Sequence, residues 1–211
     1  MRRNKQALAS EVLRRLALSI KEPRTGLIYN SNFELLIAVM LSARTTDEIV
    51  NGVTQKLFVV ANTPEAILDL GKERLEQQIR SSGFYHSKAR HIIATCKLLV
   101  EKFGVVPQDR EQLEKLPGVG RKTANVVLNV AFAMSTIAVD THVFRVAHRL
   151  TLAKGKTPEK VELELLEIIP KKLSRDAGML LLLHGRRVCT ARKPHCNICS
   201  LKELCTFLHH E

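Results

Sequence analysis

Nowhere in this 211-residue chain do the roughly eighteen consecutive apolar residues of a membrane span occur. The apolar runs at 35–41 and 179–183 are too short for that and read as buried helix. Low-complexity tracts are absent, as are an internal repeat and the strict alternation of a strand, so fibrous, solenoid and β-rich classes fall away. Acidic residues are scarce relative to basic ones: 21 Asp and Glu against 33 Lys and Arg leave a formal charge of +12. A chain this basic favours a polyanionic partner, nucleic acid above others; the plainer reading is a basic soluble protein and no more. Arg2, Arg3, Arg14 and Arg15 resemble the charge pattern of a transit peptide. Glu11 and the spacing of Leu8, Val12 and Leu16 instead suit an amphipathic helix, and the expected location is a bacterial-type cytosol, at the nucleoid through DNA, with no membrane attachment.

What the chain does have is helix punctuation. With 45% apolar residues, its length suffices for one large or two small cores. Ser31 with Glu34 forms a capping-box signature ahead of a central, buried helix. A break at 43–46 leads to a helix from Asp47, and Thr63-Pro64 supplies a cap and a proline at the first helical position. Gly71 separates two segments, 82–86 is a loop, Ser87 caps a helix running to Phe103, and Gly104 ends it. Asp140 opens another helix, Thr157-Pro158 the next with Pro170 closing it, and Ser174 the last, toward Gly185. The fold class is all-α.

The stretch 114–140 organises the rest. A charged, apolar run ends at Leu116, the turn Pro117-Gly118-Val119-Gly120 follows, and a second periodic segment starts at Arg121: helix, hairpin, helix. Gly118 and Gly120 permit close backbone approach and unusual dihedrals. The start of the second helix is an anion site, and Lys122 lies in its first turn beside Arg121. Without further information Lys122 reads as a phosphate contact, and Asp140, preceding Thr141-His142-Val143, as a helix N-cap.

Cys189, Cys196, Cys199 and Cys205 follow C-x6-C-x2-C-x5-C, a spacing too tight for a useful disulfide framework and right for a metal centre. Four thiolates suit a tetrahedral zinc or a 4Fe-4S cluster, and spacing alone does not choose between them. Arg192 and Lys193, between the first two ligands, would be displayed by the closed loop toward phosphates. His195 is not needed to complete the set, and Cys96, among Ile92, Ile93 and Leu99, reads as a buried spectator.

Leu116-Pro-Gly-Val-Gly-Arg-Lys-Thr-Ala124, Ala138-Val-Asp-Thr-His142 and the cysteine spacing together resemble the endonuclease III family of DNA glycosylases with abasic-site lyase activity, over about 33–205. The resemblance implies a two-lobed fold: a six-helix lobe at 26–135 holding the hairpin element at about 110–133, and a second lobe made of 1–25 and 136–211 with the cluster loop at 189–205. It implies a 4Fe-4S cluster on the four cysteines, and damaged or abasic double-stranded DNA as partner of a monomer. Lys122 becomes the nucleophile, its neutral form favoured by desolvation, by the positive helix end and by Arg121. Asp140, facing it across a cleft, assists base departure by stabilising sugar charge or by activating the lysine.

An enzyme acting on a stacked base must extrude it and fill the gap. In the family the loops at Arg44 and Phe84 carry the filling side chains, where glutamine and an aliphatic wedge are usual. Here Arg44 adds charge and Phe84 can stack on bases; the plainer readings are a phosphate contact and a loop residue folded onto the core. The leading function is removal of oxidised pyrimidines followed by β-elimination through a lysine Schiff base. The alternatives are a monofunctional mismatch glycosylase, against which Lys122 and the end at Glu211 argue, and a non-catalytic zinc-containing DNA-binding module.

Overall fold

The computed structural model describes residues 2–209, without the side chains of residues 2, 3 and 209. The Arg2 and Arg3 side chains and Glu211 therefore lie outside the described residues. Helices account for all the regular structure among the described residues, and no strand occurs there. They are α1 (Arg2–Ser19), α2 (Asn32–Leu41), α3 (Asp47–Val60), α4 (Pro64–Leu70), α5 (Lys72–Gln78), α6 (Tyr85–Leu98), α7 (Arg110–Glu114), α8 (Arg121–Phe132), α9 (Thr141–Arg149), α10 (Pro158–Ile168) and α11 (Lys171–Arg187). A π-turn at Leu99–Phe103 extends α6, and short 3-10 turns follow at Cys196–Ile198, Lys202–Leu204 and Thr206–His209.

The helix starts follow from side-chain chemistry. Ser31, Thr46, Thr63, Asp109 and Thr157 each accept a hydrogen bond from the backbone N-H three residues on, a contribution of about 1 kcal/mol per cap. The Glu34 carboxylate reaches back to the Asn30 N-H at 2.6 Å, one residue earlier than a standard capping box. Two expected caps are placed differently. Ser87 lies inside α6, which starts at Tyr85 after Phe84 turns the chain with φ 60°. Ser174 lies inside α11, where its Oγ donates to the Lys171 carbonyl at 2.6 Å, because Pro170 already sets the helix start.

The chain divides into two compact units, Gly26–Phe132 and Met1–Thr25 with Ala133–Glu211. In the first, every residue of α2 from Phe33 to Leu41 is buried, so this helix is the axis on which α3, α6 and α8 pack. Seven helical segments, α2 to α8, surround or form that core, with Gly71 separating α4 from α5. In the second unit α11 packs on α9 and α1, and α10 joins them. Its apolar core runs from Val12 and Leu16 through Val143, Val146 and Leu165 to Leu181 and Leu201. Burial of each such aliphatic side chain stabilises by about 1.5–3 kcal/mol.

Candidate active site and cluster loop

The hairpin between α7 and α8 is built on α6. Gly118 has φ 81°, and a Cβ there would come within 2.8 Å of the His91 Cβ, so the position requires glycine both for its backbone and for its contact. The Thr95 hydroxyl donates to the Pro117 carbonyl at 2.9 Å. Gly120 is different: its φ is not positive and nothing lies within 4 Å of where a Cβ would be. Its missing side chain leaves an open, exposed stretch of backbone, and its carbonyl accepts from the Ala124 N-H at 2.9 Å to begin α8. Lys122 is exposed, with Arg121 partly buried beside it. The inward face of α8 belongs to Ala124, Val127 and Leu128.

Arg44 and Phe84 sit on two loop tips that the fold brings together. Both have left-handed backbones, with φ 54° and 60°, a conformation that non-glycine residues adopt at a cost. Both are exposed, Phe84 to 64%. The guanidinium carbon of Arg44 lies 5.3 Å from the Phe84 ring centroid, within cation-π range. Phe84 is accordingly not folded onto the core.

In the other unit Asp140 caps α9. Its Oδ1 accepts from the His142 and Val143 N-H groups, both at 2.9 Å, and its Oδ2 lies 3.0 Å from His142 Nδ1. The Asp140 side chain is 10% exposed. Gly185 of α11 lets α9 come close at this end, since a Cβ there would meet the His142 Cβ at 2.9 Å.

The far end of α9 governs the cysteines. Arg149 donates to the Thr190 carbonyl at 2.8 Å, to the Ala191 carbonyl at 2.9 Å and to Cys189 Sγ at 3.3 Å, and its guanidinium lies 4.2 Å over the Phe207 ring. Arg145 donates to the Cys189 and Gly185 carbonyls at 3.0 and 2.8 Å. His184, buried, has Nε2 3.8 Å from Cys199 Sγ, and burial pushes its pKa down to about 4. Spacing gives no notice of Arg145, Arg149 and His184; the four-residue interval between the two arginines on α9 is the one available signal. Arg192 and Lys193 are exposed on the loop, which the Thr190 hydroxyl closes by donating to the Lys193 carbonyl at 2.6 Å.

None of the four C-terminal cysteines is in a disulfide, and all four line one cavity of ≈ 390 Å³, part of it open to solvent, together with Arg149, His184 and Leu201. Four thiol side chains around one cavity are a donor set that an iron-sulfur cluster takes. Cys96 is fully buried on α6, its thiol pushed up to about 12 chiefly by desolvation.

Residues 37–171 match the family model of the HhH-GPD superfamily of base excision DNA repair proteins, and 189–205 match that of the iron-sulfur binding domain of endonuclease III. These limits define a DNA-repair glycosylase of the helix-hairpin-helix class with an iron-sulfur domain. The chain is 55% identical over 198 residues to endonuclease III of Haemophilus influenzae, covering 93% of this chain and 94% of that protein. It is 53% identical over 198 residues to that of Escherichia coli K12, with the same coverage. A solved structure of a trapped endonuclease III-DNA covalent intermediate superimposes with a TM-score of 0.92 at 43% identity, covering 97% of both chains. The chain belongs to the endonuclease III family: it is a DNA glycosylase with abasic-site lyase activity and a 4Fe-4S cluster.

Proposed function

We propose that this enzyme removes oxidised pyrimidines from double-stranded DNA, acting as a monomer, with Lys122 as nucleophile and Asp140 as the carboxylate that assists base departure. The observation that carries this reading is the presentation of Lys122: an exposed amine in the first turn of α8, directly after an open glycine backbone suited to a phosphate. The neutral amine attacks the sugar C1′ as the C1′-N bond breaks and the base leaves with the electron pair. Ring opening then gives a protonated Schiff base. Loss of a C2′ proton expels the 3′ phosphate, breaking the strand.

Asp140 is held in one orientation by two backbone N-H groups, leaving a fixed negative charge to stabilise positive charge on the sugar. Arg44 and Phe84 are the side chains we assign to the space left by the extruded base, Phe84 by stacking and Arg44 by charge and hydrogen bonding. Gly118, Gly120, Arg121, Arg192 and Lys193 serve the phosphates. Cys189, Cys196, Cys199 and Cys205 would hold the cluster, whose chemistry when bound is four iron-thiolate bonds that tie the segment 189–205 into a closed loop. The test is single-turnover excision from matched duplexes carrying an oxidised pyrimidine, a mismatched normal base or no lesion, with borohydride present. Covalent adduct confined to the oxidised-pyrimidine duplex is the expected result; equal adduct on the mismatch overturns the substrate assignment.

A further inference from the structure

Lys88 is the one lysine of α6 that points into the core. It is 8% exposed and falls in register with Ile92, Cys96 and Leu99, the buried stripe of that helix and its π-turn. Its Nζ donates to the Leu41 carbonyl at 2.7 Å and to the Thr45 hydroxyl at 2.8 Å. Leu41 is the last residue of α2, so the ammonium sits on the carbonyl end of that helix, where a cation is favoured. Thr45 is the residue after Arg44. The Lys88 backbone N-H donates to the Phe84 carbonyl at 3.0 Å. One residue therefore bonds through its main chain to the Phe84 tip and through its side chain to both ends of the Arg44 loop.

An ammonium is a poor core residue. Burial alone pushes its pKa down, and an apolar side chain of the same length would serve packing as well or better. What the lysine adds is the tie. Left-handed backbones at Arg44 and Phe84 persist only if their surroundings over-determine them, and Lys88, in the first turn of the helix that Phe84 opens, bonds the residues on either side of the Arg44 turn.

We infer that Lys88 is a positioning residue: it clamps the Arg44 and Phe84 loops to each other, so that the two side chains enter the DNA stack as one preset unit. This rests on the assignment of Arg44 and Phe84 as the stack-filling tips. A clamp of this kind matters for extruding a base from a duplex and much less for cutting an abasic site that is already single-stranded.

The test compares Lys88→Met, which keeps the stem and removes the donors, on two substrates: base excision from an oxidised-pyrimidine duplex, and strand cleavage of a single-stranded oligonucleotide with a preformed abasic site. Excision is expected to fall by about 10-fold or more and single-strand cleavage by no more than about 2-fold, since misplaced positioning groups cost rate only where their geometry is used. The fluorescence of 2-aminopurine beside the lesion, which rises on unstacking, should rise less with the variant. In an Arg44→Ala/Phe84→Ala background the further change Lys88→Met should cost little, because residues acting as one unit do not add. Equal losses on the two substrates, or full additivity with the tip variants, overturn the clamp. If Lys88→Met does not fold, Thr45→Val removes one acceptor at the loop and must show the same substrate selectivity. Should the double tip variant itself excise at the wild-type rate, the tip assignment fails and the clamp with it; a clamp that fails alone leaves the tip variants impaired.

Discussion

In Gly26–Phe132 the residues singled out for chemistry stand outside: Arg44, Phe84, Gly120 and Lys122 are all exposed, over an apolar core that is complete from Phe33 to Leu128. In the other unit Arg192 and Lys193 are exposed too, but Asp140 and the cysteines are drawn inward. Asp140 is nearly buried under three contacts to its own helix start, and Cys189, Cys199 and Cys205 are themselves packed against the core, with Cys189 held by Arg145 and Arg149. The first unit presents groups from a scaffold that owes them nothing. The second builds its functional groups into its stability, so changes there act on fold and function together.

The sharpest way to break that contrast is Lys122→Ala. It should abolish borohydride trapping and strand cleavage while binding to lesion duplex and thermal stability stay close to wild type, as no core contact is lost; a trapped adduct on an oxidised-pyrimidine duplex would identify another amine as nucleophile. Next in size is Asp140→Asn. The amide oxygen still accepts from His142 and Val143, so the melting temperature should hold, yet base excision should slow by a factor on the order of 10² with preformed abasic sites still cut. Loss of stability in step with activity would make Asp140 a cap and no more.

Cys199→Ser sharpens the comparison from the other side. Iron content and the visible absorbance of the cluster should fall together with folding, because the ligand is also a packing residue. By contrast, Leu36→Ala in the first core should cost about 2–5 kcal/mol without loss of iron from the protein that remains folded. A stable Cys199→Ser protein with full iron would remove that residue from the ligand set. A smaller effect is expected for the Arg192→Ala/Lys193→Ala pair: the log-log dependence of affinity on salt should flatten by about one to two units, and an unchanged slope would take the loop out of the interface.

The smallest effect concerns Cys96. Its thiol, raised from 9.0 to about 12, stays protonated at neutral pH, so iodoacetamide should modify it only after unfolding. Since the unfolded thiol ionises first, its contribution to stability declines as pH rises from 9.0 toward 12. Rapid labelling of the native protein at pH 8 would show that α6 opens locally.

Much of this fold was legible because caps and turns are local chemistry. Ser31, Thr63 and Thr157 start helices as their side chains predict, and the apolar run after Asn32 forms the buried axis. The hairpin was legible in Pro117-Gly118-Val119-Gly120, though the division of labour between its glycines was not: that depends on His91 of another helix. Phe84 starts α6 with a strained backbone, which propensity argues against and only the supporting contacts allow. Lys88 was visible in principle as a charged residue on the apolar stripe of α6, but its partners are 43 and 47 residues away. Arg149 was hidden for the same reason, its acceptors lying about 40 residues on.

The dual use of α6 has a metric consequence. Phe84 opens this helix, while His91 and Thr95, two and three turns further along, carry Gly118 and Pro117 of the hairpin. A rigid helix advances 1.5 Å per residue, so Phe84 and the hairpin's resting points are spaced by about 10–16 Å along its axis. Helix α6 is in this sense a gauge rod: one added turn between Phe84 and His91 would move the loop tip and the hairpin apart by about 5.4 Å.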